Sequence, residues 1–341
     1  AGAGWWLGKG MQIGDSEAGV PELRADSRYN RDAALISERF ALGIDSIYVI
    51  VEAAPDACTA SYPVMETIER FAWHMANVEG VQQVMSLPQA AKMVNAGWNE
   101  GNIRWRVLPR GSDQLRVATQ GFETDSGLLN SDCSAIPVMV FLTDHKATTI
   151  ARVVDAVKAF RADNGVHAEG FREQLQSALD AGEGGAGDRM NLRLATGNAG
   201  VMAATNEKVT EAQWPMLMWV YLAVVVLCLL TYRSVSATIA IVLPLALVST
   251  LSTAIMAVLG IGLKVNTLPV AALGVGIGVD YAIYLYSRMQ EDLKLGTSLR
   301  ESYFNALRTT GTAVLFTAVT LSVGVGTWIF SALKFQADMG I

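Results

Sequence analysis

The pattern of apolar and polar positions changes near residue 213. Before it, apolar runs are short and separated by polar segments. After it come four long apolar runs, Ala212–Tyr232, Ser234–Leu263, Val265–Ser287 and Thr309–Leu333, interrupted within by one charge, Asp280. A bilayer-spanning helix needs about 20 apolar residues, and each run is long enough. They predict membrane helices over about 214–232, 236–261, 267–288 and 310–332, a transmembrane domain of four spans covering 214–341.

The first 213 residues read as a separate α+β domain. Residues 11–36 are polar and rich in turn formers, which predicts a lead-in rather than a core element. Residues 46–53, "SIYVIVEA", predict a buried strand. The following segment, 62–78, carries Val64, Ile68, Phe71, Ala72 and Met75 at helical spacing. A second strand is expected at 81–87, and a short helix from Pro88. The pattern then returns: a strand at 135–144, a helix at 147–162, a helix at 171–181 and a strand at 189–197. Two strand–helix–strand copies imply small α/β layers with helices on one sheet face. From Asn198 the pattern permits one continuous helix into the first span, with Pro215 close to the water boundary.

Charge sharpens this division. Residues 1–213 hold 19 Lys+Arg against 27 Asp+Glu, and residues 214–341 hold 7 against 5. A net charge of −8 on the first part argues against nucleic acid as a partner. Arg233, Arg288, Lys294, Arg300 and Arg308 lie on one side of the spans, whereas the opposite connections carry only Lys264 and Lys334. The positive-inside rule then makes the first side cytoplasmic and puts residues 1–213 outside, in the periplasm of a Gram-negative cell. The chain opens without Met or signal peptide, so an export signal or earlier span is expected upstream. Cys58 and Cys133 both fall in the external domain, where a disulfide can persist, whereas Cys228 lies within a span. His74, His145 and His167 are scattered and no CxxC is present, so no metal site is expected.

No phosphate-cradling G-x-x-x-x-G-K-[ST] sequence occurs: "GKG" at 8–10 and "GEGGAG" at 182–187 lack it, and "GVGIG" at 274–278 lies inside a span. No cofactor is expected, and no triad suggests an enzyme. Ala271, Gly274, Gly278 and Ala282 instead form a small-residue stripe of the kind that lets membrane helices approach closely. Asp280 is the sharp feature. A carboxylate at mid-span costs about 2.5–3.5 kcal/mol on insertion scales, and apolar surroundings favour its neutral form. Tyr281 is adjacent, and Tyr284 lies one turn on and on the same face. Thr310, Thr317 and Ser322 of the last span are candidates for a polar relay, although such hydroxyls commonly bond to their own helix. The 288–308 loop predicts an amphipathic helix resting on the membrane, with Leu299, Tyr303, Phe304 and Leu307 on its apolar side.

"LPVAALGVGIGVDYAIYLYSRMQEDL" followed by "ALRTTGTAVLFTAVTLSVGVGTWIFS" resembles the fourth and fifth spans of one half of resistance–nodulation–division (RND) transporters. The branch resembled is that of hydrophobe/amphiphile exporters related to the mycobacterial membrane large proteins (MMPL). "PELRADSRYNRD" and "LATGNAGVMAATNE" are similar to the same branch. The resemblance implies a porter-type external domain, a proton-relay role for Asp280 with Tyr281, and proton-driven export of hydrophobic or lipid-like molecules from the inner membrane. It also implies that this chain is a fragment of one half, the C-terminal one, working with the other half and with oligomeric or periplasmic partner proteins. The rival reading is a non-transporting membrane module, a sterol-sensing-type domain or a protein-translocation accessory with the same span pattern.

Overall fold

A computed structural model describes residues 11–15, 19–20, 22–40, 43, 45–265 and 267–341. The "GKG" segment lies outside them. The chain divides into two compact units, residues 31–204 and residues 205–341 together with the N-terminal segment up to Asn30.

The first unit is built on four strands, β1 (Ser46–Ala53), β2 (Val81–Met85), β3 (Ala135–Leu142) and β4 (Met190–Thr196). They form a single antiparallel sheet in the order β2-β3-β1-β4. The two strand–helix–strand copies therefore interleave instead of stacking as separate layers, giving the split βαβ arrangement. Alternation in β1 and β3 explains the buried face. Val140 pairs with Ile47, Val138 with Val49 and Ile136 with Val51, and all six are buried. Pro137 is tolerated in an interior strand because β2 pairs only with residues 139–142 of β3.

Two long helices cover that face. One, Tyr62–Ala76, starts with Ser61, whose Oγ accepts from the Val64 amide, and with Pro63 in its first turn. It buries Val64, Met65, Ile68, Phe71 and Met75. The other, Ala147–Asn164, buries Ile150, Val153, Val157 and Phe160 and ends on Gly165 at φ 62°. Phe71 and Phe160 meet edge-on at 5.1 Å, joining the two helices. A shorter helix, Phe171–Asp180, contributes Arg172, which with Arg193 of β4 and Asn191 surrounds the buried Glu52 carboxylate at 2.8–3.0 Å. A buried charge needs such partners.

Two segments depart from expectation. Residues Arg28–Arg39 form a helix where a polar lead-in was expected, with only Asn30 buried, so its apolar stripe is too thin to stand out in the sequence. Between β2 and β3 the helix expected from Pro88 is present as Leu87–Trp98, and the chain adds an unexpected helix, Ser112–Thr119. This insertion returns to the sheet through the Cys58–Cys133 disulfide, with Cα atoms 5.6 Å apart. Next to it, the Asp132 carboxylate accepts from the Ser134 hydroxyl and amide and from Asn130, which holds its pKa below the usual carboxylate range.

In the second unit, helix Asn198–Tyr232 runs 35 residues without a break, with Pro215 inside it, and its first seven residues belong to the sheet unit. Helix Val235–Val258 follows, opened by Ser234, whose Oγ accepts from the Ala237 amide. Helix Leu268–Lys294 carries Asp280. A short helix, Leu299–Ala306, a π-helical turn, Leu307–Gly311, and helix Thr312–Gly326 complete the membrane segment, and Lys334–Gly340 closes the chain. Three helical segments, Asn198–Tyr232, Val235–Val258 and Leu299–Phe330, are long and apolar enough to cross a membrane among the described residues. The expected span 267–288 falls on Leu268–Lys294, whose first turns include side chains outside the described set.

Replacing Cys58 and Cys133 together with Ser opens a 75-residue loop. It should lower unfolding free energy by about 2–4 kcal/mol, measured by equilibrium denaturation under oxidising conditions. An unchanged midpoint contradicts this account of the insertion.

Candidate functional site

Helix Leu268–Lys294 presents two unlike faces. Val275, Val279, Ala282, Ile283 and Tyr286 pack against Val224, Cys228 and Tyr232 of the first long helix and Ile241 and Leu245 of the second. At Gly278 an added Cβ meets the Leu245 Cδ1 atom at 2.7 Å, so the two helices approach there over a bare backbone. Gly274 has open space around its Cα, and the Ala271 side chain lies outside the described residues. Among the described residues the close approach falls at Gly278, and Ala282 packs in the same cluster. Tyr232 locks the same interface, its hydroxyl 2.7 Å from Ser287 Oγ and its ring 4.9 Å from Tyr286, edge-on.

The opposite face is open. Gly276, Asp280 and Tyr284 recur at helical spacing and are all exposed, Tyr284 to 59%. Among the described residues no hydrogen bond or ion pair reaches Asp280. Tyr281 is half-buried beside it. The last span does not supply a partner: the Thr317 hydroxyl donates to the Ala313 carbonyl at 2.9 Å, and neither Thr310 nor Ser322 bonds to Asp280. Near its start, the last span touches Asp280's helix at the π-helical turn, where Gly311 lies against Leu285. Such π-helical turns recur at functional positions in helices.

Sequence reasoning missed a second feature, at the other end of these helices. Lys264, in the turn between helices Val235–Val258 and Leu268–Lys294, is largely buried and ion-paired to buried Asp15, with Asp338 at 3.8 Å. Residues 12–14 run beside this turn: the Gly14 amide donates to the Leu263 carbonyl at 2.9 Å and the Leu263 amide to the Gln12 carbonyl at 2.8 Å. Gly262 is required there, since a Cβ would meet the Gly14 carbonyl oxygen at 1.9 Å. Further along, the Arg24 guanidinium donates to the Ile329 and Ser331 carbonyls at 2.5–3.0 Å. The N-terminal segment thus straps together the ends of three helices. Its only sequence signal is a lysine in an apolar turn, "GIGLKVN".

Three apolar helical segments long enough to span a bilayer, two of them packed against the helix that carries the acid, define a multi-pass membrane protein with an α+β unit. The MMPL family model matches residues 172–341, and over those residues the chain belongs to the MMPL family. It is 28% identical over 228 residues to the Probable transport protein MmpL9 of Mycobacterium tuberculosis, an alignment covering 64% of this chain and 21% of that protein. It is 26% identical over 147 residues to the Putative membrane protein MJ1562 of Methanocaldococcus jannaschii, covering 43% of this chain and 38% of that one. The chain spans less than two fifths of the length of either relative.

Lys264→Met leaves Asp15 buried without its cation, and breaking a buried pair costs about 3–5 kcal/mol. Equilibrium unfolding in detergent should register that loss, with partial recovery when Asp15→Asn is added. A Lys264→Met protein as stable as the parent contradicts the strap.

Proposed function

We propose that this chain is part of a proton-driven exporter of hydrophobic or amphiphilic molecules, lipids among them, in which Asp280 takes up and releases the coupling proton. The observation that carries the reading is the lone carboxylate at the middle of an apolar helix, set on a face left uncovered among the described residues. Ionised, that group carries a desolvation penalty of several kcal/mol in a bilayer. Protonated, it carries far less. A proton is therefore the natural ligand of the site, and Tyr284 and Tyr281 are placed to hydrogen-bond to the acid or to water beside it.

In this reading helix Leu268–Lys294 is the third of four spans in this chain, the counterpart of the fourth span of one transporter half, and the other half of the transporter covers its open face. Protonation of Asp280 changes what that face can pack against, while Gly278 and Ala282 allow the helix to shift against Leu245 without a bulky side chain intervening. The unbroken helix Asn198–Tyr232 carries the change to the sheet unit, which stands in the periplasm and handles substrate. MMPL membership and the likeness to a protein bearing a transport name support the transport class. The location is the inner membrane, and assembly with further copies or periplasmic proteins completes the path.

Asp280→Asn in the complete transporter should reduce gradient-dependent export to background, at least 100-fold, with expression and membrane insertion unchanged. Tyr284→Phe should slow it severalfold. The measurement is export from energised cells with and without a protonophore. Full-rate export by the Asp280→Asn protein, or export indifferent to the protonophore, overturns the reading.

A further inference from the structure

The insertion between β2 and β3 contains a cleft of about 680 Å³, within the range of small-molecule sites. Tyr62, Lys92, Trp105, Arg106, Leu108 and Arg110 line it. Its wall is held in place: the Asn95 side-chain amide donates to the Trp105 carbonyl at 2.8 Å and to the Val107 carbonyl at 3.1 Å. Leu108 is buried beneath it and anchors the segment to the core. Arg110 lies over the Tyr62 ring, its Cζ 5.9 Å from the centroid.

Two properties of the segment that carries this cleft stand apart from the rest of the unit, and of the side chains that show them Trp105, Arg106 and Arg110 line the cleft itself. The first is charge. Residues 104–116 hold four arginines against one acid, Asp113, in a region whose net charge is −8. Lys92 is neutralised by Glu69, but Arg106 and Arg110 meet no carboxylate among the described residues. The second is exposed apolar surface in the same insertion. Trp98 is 71% exposed, Ile103 78% and Trp105 50%. Large exposed apolar side chains gathered in one segment mark an interaction surface, and guanidinium groups without a carboxylate partner suit the oxygens of a phosphate, sulfate or carboxylate.

The geometry points to a binding site for an anionic amphiphile: Arg106 and Arg110 take the charged headgroup, and Trp105 with the neighbouring apolar surface takes the chain. This inference rests on the export reading and deepens it by naming the headgroup chemistry. Neither property alone requires such a ligand. A free anion has no use for Trp105, Val107 and Leu108, and a neutral lipid leaves Arg106 and Arg110 without an anion in an acidic domain. One molecule carrying both features satisfies the whole cleft.

The test uses the full chain in phosphatidylcholine nanodiscs at fixed ionic strength, with empty nanodiscs subtracted, and calorimetric titration of four probes. These are dodecyl phosphate, dodecyl maltoside, dodecyltrimethylammonium and inorganic phosphate. Dodecyl phosphate should bind at least tenfold more tightly than each of the others. Arg106→Gln with Arg110→Gln, both on exposed side chains, should weaken dodecyl phosphate tenfold or more and leave dodecyl maltoside unchanged. Trp105→Ala should weaken both dodecyl phosphate and dodecyl maltoside. Equal affinity for the three dodecyl headgroups overturns the proposal on the parent protein alone. So does inorganic phosphate binding as tightly as dodecyl phosphate, which marks a plain anion site, and so does a double arginine variant that binds dodecyl phosphate undiminished. The readout needs no proton gradient, so failure here leaves the Asp280 export test standing, and loss of export leaves this result standing.

Discussion

A carboxylate in hydrocarbon must find a cation, a cluster of hydrogen-bond donors, water or a proton. Asp280 finds neither of the first two within the described residues, and the helix around it is organised accordingly. One side of that helix is committed to packing, tightly at Gly278 and through the Tyr232–Ser287 contact. The other side keeps the acid and Tyr284 uncovered. A helix with an acid on one face and a close-packed partner on the other can answer a change of charge only by altering what covers the open face. In the proposed transport cycle, that alteration is the coupling step.

The two ends of the membrane unit are secured differently. At one end, Lys264, Asp15 and Asp338 form a largely buried ion cluster, and the N-terminal strap adds backbone pairing at Leu263 and guanidinium bonds at Ile329 and Ser331. At the other, Arg288 pairs with Glu291 and buried Asp292 one turn along the same helix, and Thr297 bonds to Ser302. Cross-linking charges concentrate where the strap crosses, while the described contacts between helices around Gly278 are apolar. In the proposed cycle, such a distribution holds the helix ends while the segment around Asp280 repacks.

Much of this was legible because it rests on local pattern. The strands at 46–53, 81–85, 135–142 and 190–196 are β-rich runs, and the long helices follow from apolar length. Asp280 stood out because charge is rare in such runs. The strand order β2-β3-β1-β4 was not legible, since pairing is decided by packing between segments far apart in sequence. The strap was hidden for the same reason: Asp15, Lys264 and Asp338 look like ordinary turn charges until the fold brings them together. Arg106 and Arg110 were overlooked although a signal existed, four arginines and a tryptophan within thirteen residues of an acidic domain.

The central claim is that Asp280 exchanges a proton while held among helices. Infrared difference spectroscopy of the assembled transporter, titrated across pH, reads this directly through the carbonyl stretch of a protonated carboxylic acid. The account predicts such a band, gained and lost reversibly with pH and missing from the Asp280→Asn protein. A spectrum in which no carboxyl band titrates, or in which the band persists after that substitution, contradicts it.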